Sequence, residues 1–346
     1  MLVAKALLGF KFKKIGGKMN KYFYHLKALT IFLVLTCTFF MSSSATAQKY
    51  PDRPIKIIVP YPAGAVGDIM MRLIGQRLTD RLGQPVIIDN RSGGGGLAAT
   101  EAVAKAAPDG YTLLFNGPNH VTNLALYAKV PYDPILDFDP VIGIASSQIV
   151  LVAHKSTGIK SVQQLIELAK AKPGELNYAS SGAGTGTHLA MEMFMRGTNT
   201  KLTHIPYKGG SAAVVGQASG QVQVSFSSIP VAINFIKDGT LIPLVVGGDQ
   251  KIPSLPGVPT YKDLNFMNFD VEVWFGLFAP KNTPMAIRNL LYEEIKKYLA
   301  EPAVVDKFSD VGMTIIGSSP VQFSDFVKAE TKRWPQAIRE MGIKPE

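Results

Sequence analysis

The chain has 346 residues, with 36 Lys and Arg against 26 Asp and Glu and a single cysteine. Seven of the lysines lie in the first 47 residues, which hold no acidic group, so the remainder carries 29 basic and 26 acidic residues, a formal charge of +3. That balance, without a basic stripe interleaved with aromatics, excludes a nucleic-acid partner; the lack of any cysteine beyond Cys37 excludes disulfides, thiolate catalysis and cysteine-ligated metal.

In chain order, a basic run from Lys11 to Lys27 precedes an uncharged apolar segment from Ala28 to Met41, and Ala45-Thr46-Ala47 stands before Gln48. This is the pattern of a secretory leader over residues 1–47 with an A-x-A cleavage site, its apolar run too short for a stable bilayer anchor. Met19 is an alternative start, since Lys21 to Lys27 already supply a basic region. Cys37 follows Thr36 and is not placed for lipid attachment. Export and cleavage would leave the protein in the periplasm.

The remaining 300 or so residues are enough for two cored domains. Ile55–Val59 reads as a strand and Asp68–Leu82 as a helix, followed by a strand at Pro85–Ile88, a helix through Ala106 and a strand at Thr112–Asn116. Such alternation predicts an α/β fold whose parallel strands send their carboxyl-end loops into one crevice. Val141–His154 is a long apolar passage interrupted by Ser146, Ser147 and Gln148, and Asp270–Pro280 is a second. Between them fall helices at Ser161–Lys172 and after Thr187 and Gly210, and strands at Asn177–Tyr178, His204–Pro206, Val222–Phe226 and Leu241–Val246. Helices from Pro284, Pro302 and Gln322 end the chain. Two passages predict a discontinuous first domain (48–148 plus 273–346), a second domain (149–272), and a two-segment hinge below a cleft.

The stretch from Asn177 to His188 joins a short strand to a helix through hydroxyls and glycines, with no charged residue before His188. Glycines can turn backbone N–H groups inward, Ser180, Ser181, Thr185 and Thr187 add rotatable donors, and the helix start supplies positive potential, so a carboxylate or phosphate fits here. Taken alone, an ordinary capped connection accounts for the stretch equally well. A second turn of the same kind, Tyr61 to Asp68, tips the balance toward two anion-holding jaws. Asp68 reads as the N-cap of its helix, because a carboxylate facing an anion would repel it. Gly93–Gly96 reads as a tight turn, and Trp274 as core.

Catalytic signatures are missing. Ser181 follows Ala179-Ser180 and so lacks the G-x-S-x-G elbow, and neither G-x-G-x-x-G nor G-x-x-x-x-G-K-[ST] occurs. His120, His154, His188 and His204 lack short ligand spacing with carboxylates, so neither metal nor cofactor is expected.

Several motifs in fixed order carry a resemblance: Asn90-Arg91-Ser92-Gly93-Gly94, Pro108-Asp109-Gly110-Tyr111-Thr112, Ser180-Ser181-Gly182 through His188, His204-Ile205-Pro206-Tyr207-Lys208-Gly209-Gly210, Pro256-Gly257-Val258-Pro259-Thr260, and Trp274 to Pro280. With them the chain resembles the extracytoplasmic solute receptors of tripartite tricarboxylate transporters, the Bug or TctC-like proteins. The resemblance implies a two-domain periplasmic binding protein with two crossover strands and a ligand in the interdomain cleft. It implies a monomer that captures a small organic carboxylate, largely by backbone amides and hydroxyls, and delivers it to the transporter's membrane components. A sensing module for a membrane signalling protein, or a serine esterase using Ser181 and His188, are the alternatives. Carried over by position, one jaw comprises Tyr61, Ala63, Gly64 and Ala65 with Asn116; the other comprises Ser180, Ser181, Gly182, Thr185, Thr187 and His188, with Tyr207 and Lys208 beside it. The family usually has a glycine where Ala65 stands, so its Cβ is expected to restrict either the backbone or the room for ligand.

Overall fold

The computed structural model describes residues 50–248, 251–264, 273–310, 312–343 and 345. The leader and the Asp270–Glu272 start of the second apolar passage lie outside the described residues. Three strand-helix units open the described chain: β1 (Ile55–Val59) and α1 (Val66–Leu82), β2 (Val86–Asn90) and α2 (Leu97–Ala104), β3 (Thr112–Asn116) and α3 (Asn119–Leu126). Strand β4 (Phe138–Ser147) leads through Gln148 into β5 (Ile149–His154). Then follow α4 (Val162–Ala171), β6 (Asn177–Ser180), α5 (Gly186–Thr198), β7 (Thr203–Pro206), α6 (Gly210–Ala218), β8 (Val224–Ser228), α7 (Ile229–Lys237) and β9 (Leu241–Val246). The described chain resumes at β10 (Val273–Pro280) and closes with α8 (Met285–Leu299), α9 (Pro302–Asp310), β11 (Met313–Ser318) and α10 (Pro320–Glu340).

These strands form two sheets, a six-stranded one ordered β11-β4-β10-β3-β1-β2 and a five-stranded one ordered β7-β6-β8-β5-β9. β1 pairs in parallel with β2 and β3, and β6 with β7 and β8, as short strand-helix alternation requires. Antiparallel pairing enters through β10 and β11 in the first sheet and β5 in the second. β4 and β10 pair with each other in the first sheet, and β5 lies between β8 and β9 in the second. Their long apolar runs follow from burial on both faces: nearly every residue of β4, β5 and β10 is buried.

Helix α1 shows how the layers join. Met70, Met71, Ile74 and Leu78 fall on one face and are buried, the opposite face is polar, and Gly83 in the left-handed region (φ 71°) ends the helix. Trp274 of β10 is core, 2% exposed, its indole N–H donating to Glu330 Oε2 of α10 at 3.2 Å. Two described helices and one strand escape the pattern reading. α3 has buried polar residues that bond main-chain carbonyls of neighbouring segments, His120 Nε2 at 3.1 Å from Pro134 O and Asn123 Nδ2 donating to Gly95 O at 3.0 Å, so its sequence shows no apolar face. α7 follows β8 with no linker, and β11 is an edge strand with three residues of Gly or hydroxyl type.

Candidate functional site

The carboxyl ends of the parallel strands in both sheets, and the starts of the helices that follow them, meet around a cavity of about 560 Å³. Its wall includes residues at the N-termini of six helices, α1, α2 and α3 from the first sheet and α5, α6 and α7 from the second. The first amides of a helix have no intrahelical acceptor, and each helix start carries about half a unit of positive charge, so six of them favour an anion. Among the described residues Lys208 is the only charged side chain in the wall, and it is exposed.

The starts of α1 and α5 are built alike. Their N-caps, Ala65 and Thr185, both have φ −70° and ψ 159°, and neither makes a side-chain cap bond. Each is preceded by a glycine in the left-handed region, Gly64 at φ 79° and Gly184 at φ 72°. Each of those glycines gives its N–H to the side chain four residues on: Gly64 to Asp68 Oδ2 at 2.8 Å, Gly184 to His188 Nδ1 at 3.1 Å. Ala65 N–H closes onto Pro62 O at 3.2 Å and Thr185 N–H onto Gly182 O at 3.3 Å. With those groups engaged, the amides of Val66 and Gly67 on one wall, and of Gly186 and Thr187 on the other, remain as first-turn donors.

Asp68 is therefore the third residue of α1, not its N-cap, and it secures the turn from behind. Burial alone would raise its pKa, but bonds from Arg72, the Gly64 N–H and Asn90 outweigh burial and hold the carboxyl below its usual range. His188 plays the matching part in α5. It is 7% exposed and stacks on His204 with ring centres 4.2 Å apart, and burial first, His204 second, push its pKa down to about 3. Burial pushes His204 down to about 4, and its Nε2 lies 2.6 Å from Ser180 Oγ. Both imidazoles are neutral at ordinary pH, which leaves His188 Nδ1 free to accept from Gly184.

Hydroxyls line the second wall. Thr187 Oγ1 accepts from Ser181 N–H at 3.0 Å and donates to Ser181 Oγ at 3.2 Å, while Thr185 Oγ1 donates to Gly182 O at 2.8 Å. Ser181 Oγ is the acceptor in its bond with Thr187, so its own proton can point to a ligand. Gly182 has φ 126°, a backbone that only glycine holds without strain.

Of the residues singled out from the sequence, the cavity wall gathers Tyr61, Ala65, Ser181, Gly182, Thr185, Thr187, Tyr207 and Lys208. It does not gather Ala63, Gly64, Asn116, Ser180 or His188. Asn116 lies behind Tyr61, accepting from its hydroxyl at 3.4 Å and from Gly117 N–H at 2.9 Å. Ser180 is wholly buried against His204. Tyr207 donates its hydroxyl proton to Gln221 Oε1 at 3.1 Å. Ala65 sits in ordinary extended backbone, so its Cβ restricts space and not dihedral choice. The wall also contains the Gly93–Gly96 turn, Asn119, Tyr127, Val231, Val273 and Phe275, none of which the pattern reading selected. Asn119 had a usable signal, since it follows the carboxyl end of β3 and such positions converge on the crevice.

The walls touch across the cavity. Thr122 Oγ1 of α3 donates to Gly184 O at 3.2 Å, and a Cβ on Gly209 would lie 2.9 Å from Pro62 Cγ.

Residues 70–343 match the model of the tripartite tricarboxylate transporter family receptor. Protein BugT of Bordetella pertussis is 35% identical over 320 residues, covering 92% of this chain and 98% of BugT. The structure of R. palustris Rpa4515 with adipate superposes with a TM-score of 0.82 at 34% identity, covering 86% of this chain and all of that one. The periplasmic binding protein BugD does so with a TM-score of 0.81 at 26% identity, over 86% of this chain. The fold is thus that of two-domain periplasmic binding proteins, and the chain belongs to the tripartite tricarboxylate transporter receptor family.

Proposed function

We propose that the protein is an exported receptor that captures a small organic carboxylate in the cleft and presents it to the membrane components of a tripartite tricarboxylate-type transporter. The observation that carries this reading is the pair of matched helix starts on opposite walls of one cavity, with amides and hydroxyls and, among the described residues, no carboxylate in the wall. Rpa4515 was solved with adipate, itself a carboxylate. The ligand contacts we assign are the free amides of Val66, Gly67 and Gly186, with Ser181, Thr185 and Thr187, and Tyr61 and Lys208 at the edges. Asn116, Ser180 and His188 act from behind by holding the turns. The binding mode needs two domains, 48–148 plus 273–346 and 149–272, hinged at Gln148 and at the chain's return near Val273. Removal of residues 1–47 would release the receptor to the periplasm, where a monomer suffices.

A thermal-shift screen of mono-, di- and tricarboxylates and aromatic carboxylates, followed by calorimetric titration of the hits, tests this. Saturable binding with the ligand recovered chemically unchanged after long incubation is the expected result. A product that disappears in Ser181→Ala would replace the receptor with an esterase.

A further inference from the structure

Gln148 is the single residue between β4 and β5, and the backbone is pinned on either side of it. Ser147 is paired with Val273 and Met313 in the first sheet, and Ile149 with Ser228 in the second. Gln148 itself is held from both sides: its N–H donates to Gly312 O, just ahead of β11, at 3.0 Å, and its carbonyl accepts from Ile229 N–H at the start of α7 at 3.4 Å. Those two holding segments also press on each other, since a Cβ on Gly312 would lie 2.7 Å from Ile229 Cδ1. The side chain of Gln148 is less well provided. The residue is 5% exposed, and its Oε1 is buried with no hydrogen-bond partner. It lies along Gly248, whose φ of 95° suits glycine and where an added Cβ would be 3.4 Å from Gln148 Nε2. Gln148 is not in the cavity wall, so a ligand in the cleft does not reach it.

A buried acceptor that has given up water without gaining a donor disfavours whichever conformation buries it. Here that conformation is the closed one, in which the walls meet through Thr122 and Gly184 and through Pro62 and Gly209. Rotation at Gln148 would part Gly312 from Ile229 and admit water to the amide. We infer that Gln148 is a built-in opening bias: its orphaned side chain raises the free energy of the closed receptor, so the empty cleft rests open and closes on ligand. This rests on the receptor reading above and its hinge at Gln148, and it adds the device that keeps an unliganded receptor from presenting an empty closed cleft. Apparent affinity is then reduced by the fraction of receptor that is closed before binding, and removal of the bias restores it.

The mature chain has no cysteine, so one introduced on α1 and another on α6 can carry spin labels whose separation reads the open and closed populations without ligand. Gln148→Met keeps the side-chain length and removes the acceptor; it should enlarge the closed population and tighten adipate binding roughly tenfold in calorimetric titration. Gln148→Glu puts a charge in the same burial; it should shrink the closed population and weaken adipate. The opposite signs are the decisive feature, because a substitution that merely disturbs the joint moves both variants the same way. Populations unchanged in both variants, or shifted in the same direction, overturn the inference alone. Populations that shift in opposite directions while no variant binds adipate uphold the opening bias and count against the carboxylate receptor reading.

Discussion

At the residue scale the cleft is a set of neutral donors whose strength lies in placement. Ser181 Oγ receives a bond from Thr187, so its own proton is the one left for a ligand. Ser181→Ala should therefore raise the dissociation constant ten- to a hundredfold, about 1.5–3 kcal/mol for one bond to a charged group. Gly182→Val should do worse, because φ 126° is closed to a β-branched residue and the added Cβ would lie 3.4 Å from Tyr207 O. Titration of both variants with a hit from the screen checks the order; equal or unchanged affinities would remove the second-wall turn from the site. Ala65 faces the cavity in extended backbone, so Ala65→Gly should add room without relieving strain, and its effect should fall on ligand size preference.

At the element scale the starts of α1 and α5 share one device, a left-handed glycine tied to the side chain four residues ahead. Asp68→Ala would leave the Gly64 N–H and the Asn90 amide without their acceptor, and should lower stability by about 1–3 kcal/mol as read by denaturant unfolding. In α5 the tie is an imidazole, which makes it sensitive to acid. His188 and His204 titrate near 3 and 4 in the fold against 6.5 when unfolded, so between these values the unfolded chain binds more protons. Stability should thus be full above about pH 6.5, fall as pH drops toward 3, and level off below that. The rings are faced by Glu192, 3.7 Å from His188 Nε2, and by Tyr178, which gives its proton to Glu192 at 2.6 Å; burial outweighs that carboxylate. Melting temperatures from pH 7 to 4 check this. A His204→Gln variant should show a shallower slope, and an identical slope would assign the acid sensitivity elsewhere.

At the scale of the whole molecule, a strand of the first sheet runs directly into a strand of the second. β4 passes into β5 through one residue, and β10 lies beside β4 in the first sheet, so the proposed hinge would bend at Gln148. The Thr122 to Gly184 bond and the Pro62–Gly209 contact belong to a closed cleft. Ligand that touches both walls stabilises that closed form, so small-angle scattering should give a smaller radius of gyration with ligand than without it. Identical radii would argue against hinge closure. A Cβ at Gly184 would overlap Leu126, and φ 72° disfavours one, so Gly184→Ala should hold the walls apart and weaken ligand without removing a contact.

The pattern of apolar runs determined much of this fold by itself, because a buried strand and an amphipathic helix each impose a period on the residues that form them. It yielded the parallel strand-helix units of both sheets, the two apolar passages, and the Gly/Ser/Thr turns at the cleft, where special φ angles and hydroxyl donors require particular residue types. It passed over α3, whose polar residues are buried and bond carbonyls of neighbouring segments, so no period marks it. It also could not divide the cradle into front and back. Asn116 and Asn119 are close in the chain, but β3 ends between them; one amide turns to Tyr61 and Thr100 and the other to the cavity. Ser180 and Ser181 separate in the same way, because β6 ends at Ser180, which packs on His204, and Ser181 opens the turn that follows. Only the tertiary structure decided which of each pair lines the cavity, since that depends on where the strand stops and what packs against its last side chain.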